Sequence, residues 1–171
     1  SAPAFEMLRQ RGLKVRVPPS DIFIQFCRQL GANPTPLPFG EVYSALQTHL
    51  IDGAENNPPT LLEHNHFQVA KYYTLTGHLM IPEILVFSKK SWDGLSKDDQ
   101  ALIMKLAKEA QQEQRKLWYD REKASLAAIK KAGDEVNDVV DKKQFQAAVK
   151  PVWDKYGAQQ SALIQRIQDT K

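Results

Sequence analysis

The chain has 171 residues, 42% of them apolar and 25% charged, a composition that suits one compact globular unit. Its 23 basic and 20 acidic residues leave a net charge of +3 with no basic block, which gives no case for a nucleic-acid partner. No apolar run approaches the roughly 18 residues needed to span a bilayer, no signal peptide opens the sequence, and the lone Cys27 excludes an internal disulfide.

Residues 13–17 alternate apolar and basic side chains, which predicts a short strand ended by Pro18 and Pro19. Ser20 is placed to cap a helix carrying Ile22, Phe23, Phe26 and Leu30, with Gly31 at its end and Cys27 as buried filler. Pro34, Pro36 and Pro38 exclude a helix or a central strand over 33–38 and fix an extended segment. A helix is expected over 41–50, with Val42, Ala45, Leu46 and His49 on one face. Residues 54–57 read as extended, and Pro58-Pro59 opens a short helix. The apolar stretch 72–88 predicts two strands joined by a hinge-like turn at Gly77 and Pro82. From Ser96 one helix is expected to run to about residue 131, with Leu102, Leu106, Ala110, Leu117, Ala124 and Ala128 as its apolar stripe. A strand over 135–139 and a helix from about Asp141, broken near Gly157, complete the chain.

The alternation of strands and helices predicts an α/β fold with parallel-sheet units. Such sheets bind ligands beyond the carboxyl ends of their strands. Arg16 lies near the end of the first strand, Phe39 follows the second and Asn56 follows the third, so three strand ends are expected to meet at one crevice. The guanidinium of Arg16 matches a carboxylate with two parallel hydrogen bonds, although its spacing equally suits a surface arginine on an edge strand. Phe39 suits stacking on a ligand or on Arg16, or packing in the core. Asn56 and Asn57 offer amides that read carboxylate and hydroxyl groups, or they shape a turn.

The run Glu63-His64-Asn65-His66 has the look of a nuclease core or a His-x-His metal pair, but no Cys cluster, carboxylate pair or Gly-rich loop supports either, and a polar surface loop or helix end is expected. His49 and His78 stand isolated, His78 beside the hinge-like turn. No G-x-S-x-G, C-x-x-C or phosphate-binding loop occurs, so neither catalysis, a metal nor a cofactor is expected.

The stretch from Gly31-Ala32-Asn33-Pro34 through Phe39-Gly40-Glu41-Val42-Tyr43 to Gln47 resembles the signature of the DctP-type solute receptors of tripartite ATP-independent periplasmic (TRAP) transporters. Lys14-Val15-Arg16-Val17-Pro18, Asp52-Gly53-Ala54-Glu55-Asn56, Leu75-Thr76-Gly77-His78 and Phe87-Ser88-Lys89-Lys90 fit the same family. The resemblance implies a type II-like periplasmic binding protein lobe with long C-terminal helices. It implies that Arg16 pairs with the carboxylate of a small organic acid, that Phe39 packs against it and that Asn56 lines the pocket. Glu41, Tyr43 and Gln47 are read as packing and helix-start residues. The implied partners are the small carboxylate ligand and the membrane permease subunits, in the periplasm.

Family members carry a large N-terminal portion ahead of the Lys-x-Arg strand, whereas eleven residues precede Gly12 here. The expectation is a chain whose N-terminal lobe is largely missing. Residues 12–81 and 121–171 would form the second ligand-binding lobe, and 82–120 a remnant of the first with the start of a long connecting helix. Apolar surface left open on that remnant is expected to drive self-association. Two alternatives stay open: a ligand sensor for a signalling partner, and an enzyme reusing the two-lobe scaffold.

Overall fold

The structure, a computed structural model, describes residues 12–139 and 142–170. Strand β1 (Lys14–Val17) is the centre of a three-stranded parallel sheet. It pairs on one side with β2 (Asn33–Pro36), Lys14 opposite Asn33 and Val17 opposite Pro36. On the other side it pairs with β3 (Gly53–Ala54), Arg16 opposite Ala54. The two prolines of β2 are tolerated because β2 is an edge strand.

Helix α1 (Asp21–Gln29) returns from β1 to β2. Ser20 has the extended backbone of an N-cap, but its side chain makes no capping bond, contrary to the sequence expectation. The helix ends in a double hydrogen-bonded turn: the Gly31 N–H donates to the Arg28 carbonyl at 2.9 Å and the Ala32 N–H to the Cys27 carbonyl at 3.2 Å. Gly31 takes φ +84° there, a conformation that penalises any residue with a Cβ. Cys27 is buried with Val17 and Ala32, and burial pushes its thiol up to about 11, so it is core filler as expected.

After β2 the chain makes a 3₁₀ turn (Phe39–Glu41) and helix α2 (Val42–Gln47). Val42, Ala45 and Leu46 bury against Ile51, as the spacing predicts. The helix is shorter than the expected 41–50, because His49 turns left-handed (φ 58°) and leaves the face. That reversal lets the Ile51 N–H reach the Ala45 carbonyl and starts β3. Helix α3 (Pro58–Glu63) opens on two prolines, with Asn57 as N-cap accepting from the Thr60 N–H at 2.9 Å.

The stretch 72–88 departs from expectation. Only β4 (Tyr72–Leu75) is a strand, and it pairs in parallel with β5 (Glu135–Asp138) as a separate two-stranded sheet. Residues 76–88 carry no regular structure. A strand needs a neighbour for its N–H and C=O groups, and 79–87 has none among the described residues. A short helix α4 (Lys89–Asp93), not foreseen, follows.

Helix α5 (Lys97–Lys131) has 35 residues and so a length of about 52 Å. Ser96 caps it by accepting from the Asp99 N–H at 3.1 Å, and Gly133 (φ +93°) closes it. The predicted apolar stripe is not a buried face: Leu102, Leu106 and Leu117 are each more than half exposed. Burial is confined to Ser125 and Ile129, the end that lies over α3, where Arg121 pairs with Glu63. The expected start of the last helix near Asp141 lies outside the described residues. Helix α6 (Lys143–Tyr156) packs Val149 on Leu30, the residue that ends α1, and α7 (Ser161–Asp169) follows the predicted break at Gly157.

Candidate functional site

All three strands of the first sheet point their carboxyl ends the same way; Arg16 lies at that end of β1, and Phe39 and Asn56 lie in the segments beyond β2 and β3. Arg16 is on the central strand, not an edge, so the surface-arginine reading is set aside. It is 4% exposed. Its Nε–H donates to the Leu37 carbonyl at 3.0 Å, and its two terminal NH₂ groups meet no acceptor among the described residues. Burial lowers its pKa from the usual arginine value while the charge of Glu55 raises it. A guanidinium nevertheless keeps its charge at any relevant pH. The cation is therefore largely desolvated, held by one carbonyl, and open at the fork that recognises planar anions.

Phe39 comes to Arg16, with 6.0 Å between the guanidinium carbon and the ring centroid. The rigid Pro38 sets its entry, and the 3₁₀ turn starts on it. It is 38% exposed, so it does not fill the core. His64 meets it edge-on at 4.7 Å between centroids, and His66 lies tilted at 5.9 Å.

Asn56 is half-buried in the loop after β3. Its Oδ1 accepts from the Asn57 N–H at 2.9 Å, and its carbonyl accepts from the Tyr73 hydroxyl at 2.9 Å. Its Nδ2 has no acceptor among the described residues. The two asparagines thus divide their work: Asn57 caps α3, and Asn56 keeps two donors open. No described contact joins Asn56 directly to Arg16 or Phe39; its neighbour Glu55 bears on Arg16 through charge.

Sequence reasoning missed three participants. The run 63–66 does end a helix, one of the two expectations, but His66 is 4% exposed and not on a polar surface. The left-handed Asn65 (φ 58°) reverses the chain after α3 and turns His66 inward. An Asn just past a helix end is a known signal for such a reversal. Burial lowers the His66 pKa, with His64 and Arg16 adding to the effect, so the ring is uncharged at neutral pH. His78 is not isolated. Its Nδ1 lies 2.6 Å from the Thr76 hydroxyl, its ring stacks on Phe26 of α1 at 5.5 Å, and its Nε2 is 3.7 Å from Glu55 Oε2. Tyr73, whose hydroxyl is pushed up to about 12 by burial and then by Glu122 and Glu55, ties the second sheet to the loop of Asn56. Among the described residues no three His, Cys, Asp or Glu side chains gather as a metal site.

The family described as "Bacterial extracellular solute-binding protein, family 7" (DctP) matches residues 9–160. A solute-binding protein of Chromohalobacter salexigens is 43% identical over 163 residues, 94% of this chain and 48% of that protein. A TRAP periplasmic solute binding protein from Pseudomonas putida F1, solved with bound D-glucuronate, superposes with a TM-score of 0.90 at 50% identity, covering 98% of this chain and 54% of that one. A second, from a Bradyrhizobium species in complex with D-galacturonate, gives 0.86 at 49% identity, covering 97% and 55%. The chain spans about half the length of the relatives it matches.

Proposed function

Because the chain belongs to the family 7 bacterial extracellular solute-binding proteins, we propose that it is part of a periplasmic TRAP receptor that captures a hexuronate such as D-glucuronate or D-galacturonate. Arg16 anchors the sugar-acid carboxylate, Phe39 walls the pocket, and the open Nδ2 of Asn56 orients the ligand. The observation that carries the reading is the buried Arg16 guanidinium with its fork unpaired. A desolvated charge with one neutral partner calls for an anion. The uronates bound in proteins about half identical to this chain supply the class of acid.

The receptor carries its ligand to membrane permease subunits and releases it unchanged, with no cofactor; the receptor character of the family supports this over an enzyme. We also propose the lobe division. Residues 12–81 and 121–171 form one ligand-binding lobe, and 82–120 belongs with a second. The absence of any buried residue from 79 to 124 and the missing ladder partner of 79–87 among the described residues support it. Closure of two lobes on the acid would trap it, since contacts from both sides stabilise the closed form.

Calorimetry on the full-length protein tests the reading. D-glucuronate should bind, and D-glucose, which has a similar ring without the carboxylate, should not. Arg16→Lys keeps the charge and loses the fork; it should weaken uronate binding by about 1.5–3 kcal/mol. Equal affinity for glucose and glucuronate would overturn the assignment.

A further inference from the structure

His66 is a buried polar side chain with no hydrogen-bond partner for its ring among the described residues. It is 96% removed from solvent by its 4% exposure, yet neither ring nitrogen makes a hydrogen bond among the described residues. Unlike Nε2 of His78, neither nitrogen is fully sealed from solvent. Its backbone is fixed: the Val69 and Ala70 N–H groups donate to its carbonyl at 3.0 and 2.9 Å. It borders the candidate site, 5.9 Å from the Phe39 ring and 6.1 Å from the His64 ring, and it senses the charge of Arg16. Buried polar groups are almost always satisfied, so an orphan beside an anion fork points to a ligand atom.

We propose that His66 is the specificity-determining residue of this site, hydrogen-bonding a ring hydroxyl of the acid that Arg16 holds and thereby selecting hydroxylated acids over plain ones. The proposal rests on the carboxylate reading of Arg16 given above. The chemistry favours a hydroxyl over a second anionic group. The groups that face His66 are Arg16 from β1, Phe39 from the 3₁₀ turn and His64 from the end of α3. Burial, and after it the charges of His64 and Arg16, penalise a positive ring, so it stays uncharged, with one N–H donor and one bare nitrogen. A carboxylate only accepts, so it suits only the tautomer whose N–H faces it. A hydroxyl both donates and accepts, and it satisfies either tautomer. Sites built to bond a hydroxyl discriminate strongly against analogues that lack it, because their own polar group is then left unpaired.

The test compares D-glucuronate with tetrahydropyran-2-carboxylate, a ring acid without hydroxyls, by calorimetry on the full-length protein. His66→Leu should lose affinity for D-glucuronate about tenfold or more and leave the hydroxyl-free acid unchanged. His66→Gln, which keeps a donor and an acceptor, should recover part of the loss. The ¹⁵N resonances of the His66 ring in the unaltered protein should move on adding D-glucuronate and stay in place with the hydroxyl-free acid, a readout independent of whether a variant folds. An equal loss for both acids would make His66 structural and overturn the proposal, as would unmoved ring resonances. Undiminished glucuronate affinity in His66→Leu, with Arg16→Lys still impaired, would overturn the role of His66 and leave the carboxylate reading standing. No binding of either acid to the unaltered protein would sink that reading, and this one with it.

Discussion

Residues 12–78 and residues 79–124 are built on opposite terms. In the first stretch Val17, Val42 and Ile51 are at most 2% exposed, and every strand of the first sheet has a partner. In the second no residue is buried, and Met80 is 95% exposed. Yet most of α5 forms in this exposed stretch while the apolar run 79–87 forms no strand. The difference lies in where the hydrogen bonds close. A helix satisfies its backbone four residues away, and α5 adds a Ser96 cap and spaced pairs such as Lys105 with Glu109. A strand satisfies its backbone only on a distant segment. An unpartnered region can therefore keep its helices and lose its sheet.

The comparison can be broken at the level of the whole chain first. The open apolar side chains of 79–87, with Leu102, Leu106 and Leu117, should make this 171-residue stretch self-associate when it is produced alone. Light scattering over a concentration series should show mass rising above that of one chain. A well-folded monomer at high concentration would mean that this surface needs no cover. Next in size is the contrast along α5. Ile129 is 0% exposed, so Ile129→Ala should cost about 2–5 kcal/mol in urea unfolding. Leu106→Ala, on the exposed length, should stay within about 0.5 kcal/mol. Similar losses at the two positions would erase the distinction between the regions.

The first region held most of what its residues announce. Alternation of Lys14, Val15, Arg16 and Val17, the proline spacing of 33–38, and the Gly31 stop each act within a few residues, and each appears in the structure. The three strand ends could be placed because parallel crossovers leave little choice of topology. What was illegible depended on distant partners or on single left-handed residues. The pairing of β4 with β5 joins segments about 60 residues apart, and no local pattern encodes it. His66 was lost because Asn65 reverses the chain, and α2 ended early because His49 does the same. The stripe of α5 was legible as a pattern, but a pattern does not say whether anything covers it.

Two smaller effects sharpen the picture of the first region. Gly31→Ala forces a Cβ into the left-handed turn and should cost about 1–2 kcal/mol, read as a lower unfolding midpoint. His66 gives a pH signature. Its folded pKa lies below the ordinary value of about 6.5, so the unfolded chain takes up the proton first. Stability from this group is present in full above about pH 6.5 and is lost as pH falls below it. Thermal melts between about pH 7 and 5.5 should show a decline that His66→Gln reduces. A decline of the same size in both proteins would place its origin elsewhere.

The central claim is that the unpaired fork of Arg16 exists for a carboxylate. A crystal structure of the full-length protein grown with D-glucuronate tests it most directly. The account predicts the carboxylate on the terminal nitrogens of Arg16, two oxygens each at about 2.7–2.9 Å, with Nε still on the Leu37 carbonyl. A uronate bound with its carboxylate on other groups, and the Arg16 fork still without an anion, would contradict it.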